Sequence, residues 1–132
     1  MIGLDTNVLV RLFVRDDDEQ MKSAQALIAG CTSEQPAYVS SVVIAELAWV
    51  LDRSYGYAAG AIHEAFEWLF DSENIVVERS ELMEAAILTA RDAKADISDA
   101  IIAALATDAN CTAVVTFDKN AAKRIPGMEL IA

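Results

Sequence analysis

Two carboxylates stand where apolar segments end, a position at which a charged group can do chemistry. Asp5 follows the apolar run 1–4 and precedes an apolar-periodic segment, so we expect it after a strand and just before a helix. Asp118 follows the apolar strand predicted at 112–116 in the same way. Sites in open α/β sheets form at the carboxyl ends of strands. Asp5 could equally cap the helix that follows, and this stretch leaves both roles open.

Glu46 is predicted to lie on an apolar helix face. Its neighbours one turn away in the helix predicted from Val42 to about Arg53 are apolar: Val42, Val43, Trp49 and Val50. This pattern predicts that Glu46 projects from the buried side, where a lone carboxylate costs several kcal/mol unless it is neutralised or paired. The alternatives are a salt bridge to an arginine, or a helix edge from which the carboxylate reaches water.

Asp96 and Asp99 open another predicted helix, which runs to about Thr107. Asp99 precedes the apolar run 100–105, and Asp96 lies three residues earlier on the same side of the first turn. Capping by Asp96, with Asp99 in the first turn favoured by the helix dipole, explains one of these acids and leaves the other available.

Four such acids in one site imply a bound cation. Two carboxylates about 5 Å apart repel each other by roughly 3 kcal/mol at an effective dielectric of about 20. A cluster of them must therefore take up protons or bind a cation. Oxygen ligands without cysteine or histidine favour Mg²⁺ or Mn²⁺ over zinc. Metal held by carboxylates on an α/β scaffold is typical of phosphoryl chemistry.

The elements that would position these acids alternate between strands and helices. This order predicts an α/β protein with a largely parallel sheet. The length of 132 residues fits a single domain over residues 1–132. Aromatic residues concentrate in the two middle helices and are interpreted mainly as core, with a dimer or partner surface as the alternative. These residues are Trp49, Tyr55, Tyr57, Phe66, Trp68 and Phe70.

The net charge of −11, from 21 acids and 10 bases, argues at first against a nucleic-acid partner. Acids pooled around a divalent metal are the exception, because the metal then presents positive charge to phosphate. No apolar run approaches the length of a membrane span, so no membrane association is expected. The isolated Cys31 and Cys111 are typical of reduced thiols, which favours a cytoplasmic protein.

Four segments together resemble the motifs of PIN-domain ribonucleases, in the right order and over nearly the whole chain. They are Leu4-Asp5-Thr6-Asn7-Val8-Leu9, Ser40-Ser41-Val42-Val43-Ile44-Ala45-Glu46-Leu47, Asp96-Ile97-Ser98-Asp99-Ala100-Ile101-Ile102-Ala103-Ala104 and Val114-Val115-Thr116-Phe117-Asp118-Lys119. Length and motif spacing most resemble VapC-type toxins of type II toxin–antitoxin pairs. The resemblance implies a three-layer fold, in which helices flank a central, mainly parallel sheet of four to five short strands.

The resemblance also implies an activity and its residues. A metal-dependent endoribonuclease would hold Mg²⁺ or Mn²⁺ with Asp5, Glu46, Asp99 and Asp118, and metal-activated water would cleave RNA to leave a 5′-phosphate. The positions that support the site by hydrogen bonding are Thr6, Asn7 and Thr116, and Asp96 is either a further helper or a plain N-cap. With Asp5 at the metal, Thr6 and Asn7 are left to cap the helix.

Family members usually form homodimers and are silenced by a cognate antitoxin, whose C-terminal segment covers the active site. The basic groove of an RNA enzyme is not obvious in this sequence. The cations that follow the motifs, and that we expect around the cleft, are Arg11, Arg15, Lys119, Lys123 and Arg124. The alternatives are a catalytically idle PIN-like interaction module and a receiver-like or phosphatase-like domain with Asp5 as phospho-acceptor. The last usually needs a second acid beside Asp5, where Thr6 and Asn7 stand instead.

Overall fold

Short strands alternate with helices along the chain, which confirms the predicted α/β class. The structure is a computed structural model that describes residues 1–131. The chain divides into two compact units, one over Met1–Ser80 and a second that begins at Glu81. Each unit has its own sheet and its own predicted acids: Asp5 and Glu46 belong to the first, and Asp99 and Asp118 to the second.

The first unit is built on parallel strands with helices between them. Its elements are β1 (Ile2–Gly3), α1 (Thr6–Phe13), α2 (Asp18–Ala29), β2 (Ala37–Val39), α3 (Ser41–Trp49), α4 (Ala59–Asp71) and β3 (Ile75–Val77). The helix predicted from Val42 to about Arg53 is divided, because α3 ends at Trp49 and a π-helical turn follows over Val50–Ser54. Gly56 follows with a φ of 64°, a conformation that glycine adopts without strain.

The strands of the first unit pair in the order β1-β2-β3, and both pairings are parallel. Backbone hydrogen bonds continue the pairing beyond the strands, from Leu4 N–H to Tyr38 O (2.9 Å) and from Glu78 N–H to Val39 O (2.8 Å). Because parallel strands end at the same edge, Asp5, Ser40 and Glu78 all follow strands at one edge of this sheet. This edge carries the first half of the predicted site.

The core of the first unit fixes the helices that carry its acids. Large side chains with less than 2% exposure lie on α1, α3 and α4 and in the π-helical turn, and burial of each stabilises the fold by roughly 1.5–3 kcal/mol. These residues are Leu9, Ile44, Leu47, Leu51, Phe66 and Leu69. The buried face of α3 therefore holds the helix in one orientation.

The second unit contains a smaller parallel pair of strands. Its elements are α5 (Ser80–Ala93), α6 (Ile97–Asp108), β4 (Val114–Thr116), α7 (Lys119–Arg124) and β5 (Met128–Leu130), with α5 beginning one residue before the unit. Strands β4 and β5 pair in parallel, with Val114 opposite Met128. A small cluster formed by Ala103, Ala121, Ile125 and Met128 packs α6 and α7 against this pair.

Two further predictions concern membrane association and the state of the cysteine thiols. Within residues 1–131, none of the helices combines the length and the apolar character that a bilayer crossing requires. Cys31 and Cys111 are both free thiols, with Cys31 partly buried and Cys111 exposed. The Cys31 thiol lies 3.4 Å from the carbonyl oxygen of Leu27, one turn earlier in the chain.

Candidate functional site

Asp5 caps helix α1. Its backbone is extended (φ −79°, ψ 159°), and its Oδ1 accepts a hydrogen bond of 2.7 Å from the Thr6 backbone N–H. The expectation that Thr6 and Asn7 cap this helix is therefore wrong. A capping side chain must stand just before the first helical residue, and Thr6 is already helical. The cap engages one oxygen of an exposed carboxylate, so the other oxygen takes no part in it.

Thr6 connects Asp5 to Glu46, which lies 40 residues further along the chain. The Thr6 side chain is buried, with 7% exposure, and its Oγ1 donates a hydrogen bond of 2.7 Å to Glu46 Oε1. A hydrogen bond to an ionised acceptor is stronger than one between neutral groups. Asp5, Thr6 and Glu46 therefore form one connected group at the edge where β1 ends, which we call the Asp5–Glu46 group.

The exposure of Glu46 differs from the prediction. Glu46 is exposed, as are Val42 (68%) and Trp49 (52%) on the same side of α3. The buried residues of this helix are Val43, Ile44, Leu47 and Ala48. Because α3 is apolar on nearly every side, the neighbours of Glu46 in the sequence do not reveal which face packs inward. Glu46 reaches solvent without the desolvation cost that a buried position would impose.

Asp96 and Asp99 begin helix α6 in the second unit. Asp96 is the N-cap, and its Oδ1 accepts a hydrogen bond of 3.0 Å from the Asp99 backbone N–H. The sequence leaves two roles open for Asp96, a helper at the site or an N-cap. The structure shows that Asp96 is an N-cap. Asp99 is partly buried in the first turn, where the helix dipole favours a carboxylate.

Asp118 follows β4 and caps α7. Its Oδ1 accepts hydrogen bonds from the backbone N–H groups of Asn120 (2.9 Å) and Ala121 (3.0 Å). Its own N–H donates to Thr116 Oγ1 at 3.0 Å, so Thr116 helps to fix the turn in which the acid stands. Like Asp5, Asp118 is exposed and uses Oδ1 for its cap.

The donor chemistry of these acids suits a hard divalent cation. Carboxylate oxygens are the ligands that Mg²⁺ prefers, and each capping acid keeps an oxygen outside its cap. The Asp5–Glu46 group supplies two exposed carboxylates joined through Thr6. Among residues 1–131, neither unit by itself groups three or more His, Cys, Asp or Glu side chains so that they could hold a metal ion. The set of four ligands stays a prediction.

Arg11, a predicted RNA contact, is held by an acid. Its Nη1 forms a hydrogen-bonded ion pair with Asp16, and this bond raises the pKa of the Arg11 guanidinium. The Tyr55 hydroxyl lies 3.4 Å from the second oxygen of Asp16. Arg15 and Lys119, the other predicted contacts, are exposed. Nη1 of Arg11 is therefore already paired within the protein.

Glu78 is a further residue of this sheet edge that the sequence reasoning missed. It directly follows β3, and its Oε1 accepts hydrogen bonds from the Ser41 backbone N–H (2.8 Å) and hydroxyl (2.7 Å). These two bonds lower the pKa of the Glu78 carboxyl below its ordinary value of 4.5. The available signal was an acid after a predicted strand, the signal that marked Asp5. Glu78 fixes the first turn of α3, the helix that carries Glu46.

Helices join the parallel strands of this protein, and acids follow β1, β3 and β4. This arrangement defines an α/β protein of the kind that builds sites from carboxylates at strand ends. The model of the PIN domain family matches residues 2–127, so the chain belongs to the PIN domain family and has its three-layer α/β fold. A solved toxin–antitoxin complex from Klebsiella pneumoniae is similar at 22% identity over 97% of this chain and 95% of that chain, with a TM-score of 0.37. None of the curated proteins matches the sequence.

Proposed function

We propose that this protein is a metal-dependent endoribonuclease. The observation that carries the proposal is the PIN family match over residues 2–127, because PIN domains are generally nucleases and typically use divalent metal ions. The Asp5–Glu46 group supports it, since two exposed carboxylates share a buried threonine at the edge where parallel strands end. Their exposure suits acids that must meet a metal and a substrate from solution.

The proposed ligands are Asp5 and Glu46 from the first unit and Asp99 and Asp118 from the second. Mg²⁺ or Mn²⁺ bound there would generate hydroxide from water near neutral pH and would neutralise charge on the phosphodiester. Thr6 orients Glu46 through the hydrogen bond to its Oε1. Thr116 holds the turn before Asp118. Asn7 and Asp96 are supporting residues in this proposal, with Asp96 acting through the N-cap of α6.

RNA is the proposed substrate, and its cleavage leaves a 5′-phosphate. Exposed Arg15 and Lys119 would attract the phosphate backbone, since Lys and Arg contacts supply most of the sequence-independent affinity for nucleic acids. Arg11 would contribute after exchanging Asp16 for a phosphate. We therefore expect weak RNA binding with a shallow dependence on salt, because few phosphate contacts release few counterions.

The cellular role proposed here is that of a VapC-type toxin, which inhibits translation or growth until an antitoxin binds it. Support comes from the four motifs and their spacing, which resemble those of such toxins. The proposed partners are a cognate antitoxin that covers the acids and a second copy of the chain in a homodimer. The proposed location is the cytoplasm, and the proposed extent of the domain is residues 1–132.

A second candidate function is a catalytically idle PIN module that binds a partner. The observation that favours it is that Asp5, Asp96 and Asp118 all cap helices, which is a sufficient structural reason for each. Glu46 caps no helix, since it lies in the middle of α3, where it is exposed and accepts the hydrogen bond from Thr6. The receiver-like alternative loses its support, because the chain belongs to the PIN family.

Purified protein incubated with tRNA and rRNA tests the proposal. We expect endonucleolytic cleavage with Mn²⁺, loss of cleavage when EDTA removes the metal, and recovery when Mn²⁺ is restored. Glu46→Gln should abolish cleavage, whereas the matched surface substitution Glu67→Gln on α4 should leave the rate unchanged. If the protein fails to cleave RNA at any metal concentration, or if cleavage persists in EDTA, the proposal is wrong.

A further inference from the structure

Trp49 is exposed beside Glu46. It is the last residue of α3, and 52% of its surface is accessible to solvent. Glu46 lies three residues earlier and Val42, which is 68% exposed, lies seven residues earlier, so all three share one side of the helix. The opposite side of α3 packs into the core. A large aromatic ring on a rigid, packed helix therefore stands next to a carboxylate of the proposed site.

We propose that Trp49 stacks on an unpaired base of the RNA substrate, next to the phosphate that is cleaved at Glu46. The proposal rests on the proposed function and names a residue that binds its substrate. Proteins recognise single-stranded RNA largely by stacking splayed bases on aromatic side chains. Side chains three residues apart on a helix are neighbours, with Cβ atoms about 5–6 Å apart, so Trp49 can contact a base while Glu46 faces its backbone.

The charge of the protein makes such a contact important. The chain has 21 acids and 10 bases, and Arg11 is already paired with Asp16. Phosphate contacts by lysine and arginine are therefore a limited source of affinity. Stacking does not depend on net charge, because every base presents a π-face. An exposed tryptophan beside the acids supplies affinity that an acidic protein cannot obtain from its cations.

A second copy of this chain is another occupant to consider for this face. Glu46 lies between Val42 and Trp49, so a protein surface packed across all three would remove a carboxylate from water. Burial of a charge is costly unless the partner supplies an opposite charge. One base stacked on Trp49 leaves Glu46 open to solvent, metal and phosphate. The position of Glu46 favours RNA on this face.

Trp68 offers a matched control. It is also an exposed tryptophan on a helix of the first unit, at 44% exposure. Its ring packs edge-on against Phe13, with ring centroids 5.5 Å apart. Trp68 therefore has an aromatic partner within the protein, and we assign it no contact with RNA.

Fluorescence anisotropy with a fluorescein-labelled single-stranded RNA of mixed sequence tests the proposal. The measurements use an Asp5→Asn background, which does not cleave the RNA. Trp49→Ala should raise the Kd by about 5- to 100-fold, the range of one base–aromatic stack. Trp49→Phe should retain most of the affinity, and Trp68→Ala all of it. The slope of log Kd against log salt should stay unchanged, because no phosphate contact is lost. In the active protein, Trp49→Ala should raise KM and leave kcat unchanged.

Two results would overturn this role for Trp49. One is equal RNA affinity and equal KM in Trp49→Ala and Trp68→Ala. The other is a fall in solution mass from dimer to monomer in Trp49→Ala, which would assign the face to a second copy. Failure of the proposed function is a separate result, because the parent protein would then cleave no RNA in Mn²⁺ whatever stands at position 49.

Discussion

The carboxylate of Asp5 has two oxygens, and the fold uses one of them. Oδ1 caps α1, while the residue as a whole is exposed at the end of β1. Asp118 has the same arrangement at α7, so capping and metal binding do not exclude each other at these positions. The sequence presents a structural and a functional role as alternatives, and the proposed metal role is compatible with the cap because it would use the other oxygen.

A substitution at Thr6 tests the connection between Asp5 and Glu46. Thr6→Val keeps the shape of this buried side chain and removes the hydrogen bond to Glu46. Because Glu46 is exposed and water can replace the lost donor, we expect a loss of stability of about 0.5–1.5 kcal/mol by urea unfolding. Cleavage should fall by more than stability predicts, and Thr6→Ser should restore it. Equal activity of the valine and serine variants would show that this bond does not position Glu46.

Helix α3 carries two residues with proposed roles, Glu46 and Trp49. Ser40 caps its start, Glu78 binds the N–H and hydroxyl of Ser41, and Thr6 binds Glu46 in its middle. Its exposed end carries Trp49. The helix is thus held at two points from β3 and α1, and a side chain projecting from it has a defined position.

The Glu78–Ser41 contact predicts a pH dependence of stability. The pKa of the Glu78 carboxyl is lowered in the folded protein. Its contribution to the free energy of unfolding is therefore present above the ordinary pKa of 4.5 and is lost as the pH falls through the pKa of the folded protein. Wild type should be more stable than Glu78→Gln near neutral pH, and this difference should shrink below pH 4.5. Urea unfolding over this range measures it. The exposed Glu73→Gln is the control, and a Glu78 difference that does not change with pH would contradict the assignment.

Sequence reasoning predicted most elements but not how α3 is oriented. The alternation of strands and helices and the cap at Asp96 are local signals, carried by residues a few positions apart. No local signal predicts which face of α3 is exposed, because an almost uniformly apolar helix has no sequence pattern that marks its buried side. The bond between Glu78 and Ser41 joins residues 37 positions apart, so it depends on strand pairing that no local pattern specifies.

The acidic charge of the chain connects the proposed metal binding to stability. The chain carries a net charge of −11, to which the four proposed ligands contribute. A cation that binds the folded protein and not the unfolded chain stabilises it by mass action, by about 2.7 kcal/mol at 100 times its Kd. Metal should therefore act as a structural ligand as well as a catalytic one.

Thermal unfolding with and without Mn²⁺ measures this effect. For a chain of 132 residues, saturating Mn²⁺ should raise Tm on the order of 10 °C. Sodium chloride at equal ionic strength controls for general screening and should give a smaller rise. A Tm that is the same in millimolar Mn²⁺ and in the salt control would count against a divalent site in this protein.

Asp5→Asn compared with Asp17→Asn tests the central claim most directly. Asp17 caps α2 through a bond to the Gln20 backbone N–H, as Asp5 caps α1, but it is not a proposed ligand. Asparagine caps helices about as well as aspartate, so both variants should stay folded with little change in Tm. We predict that RNA cleavage in Mn²⁺ is abolished in Asp5→Asn and unchanged in Asp17→Asn. Equal cleavage by the two folded variants would show that Asp5 is a helix cap and nothing more.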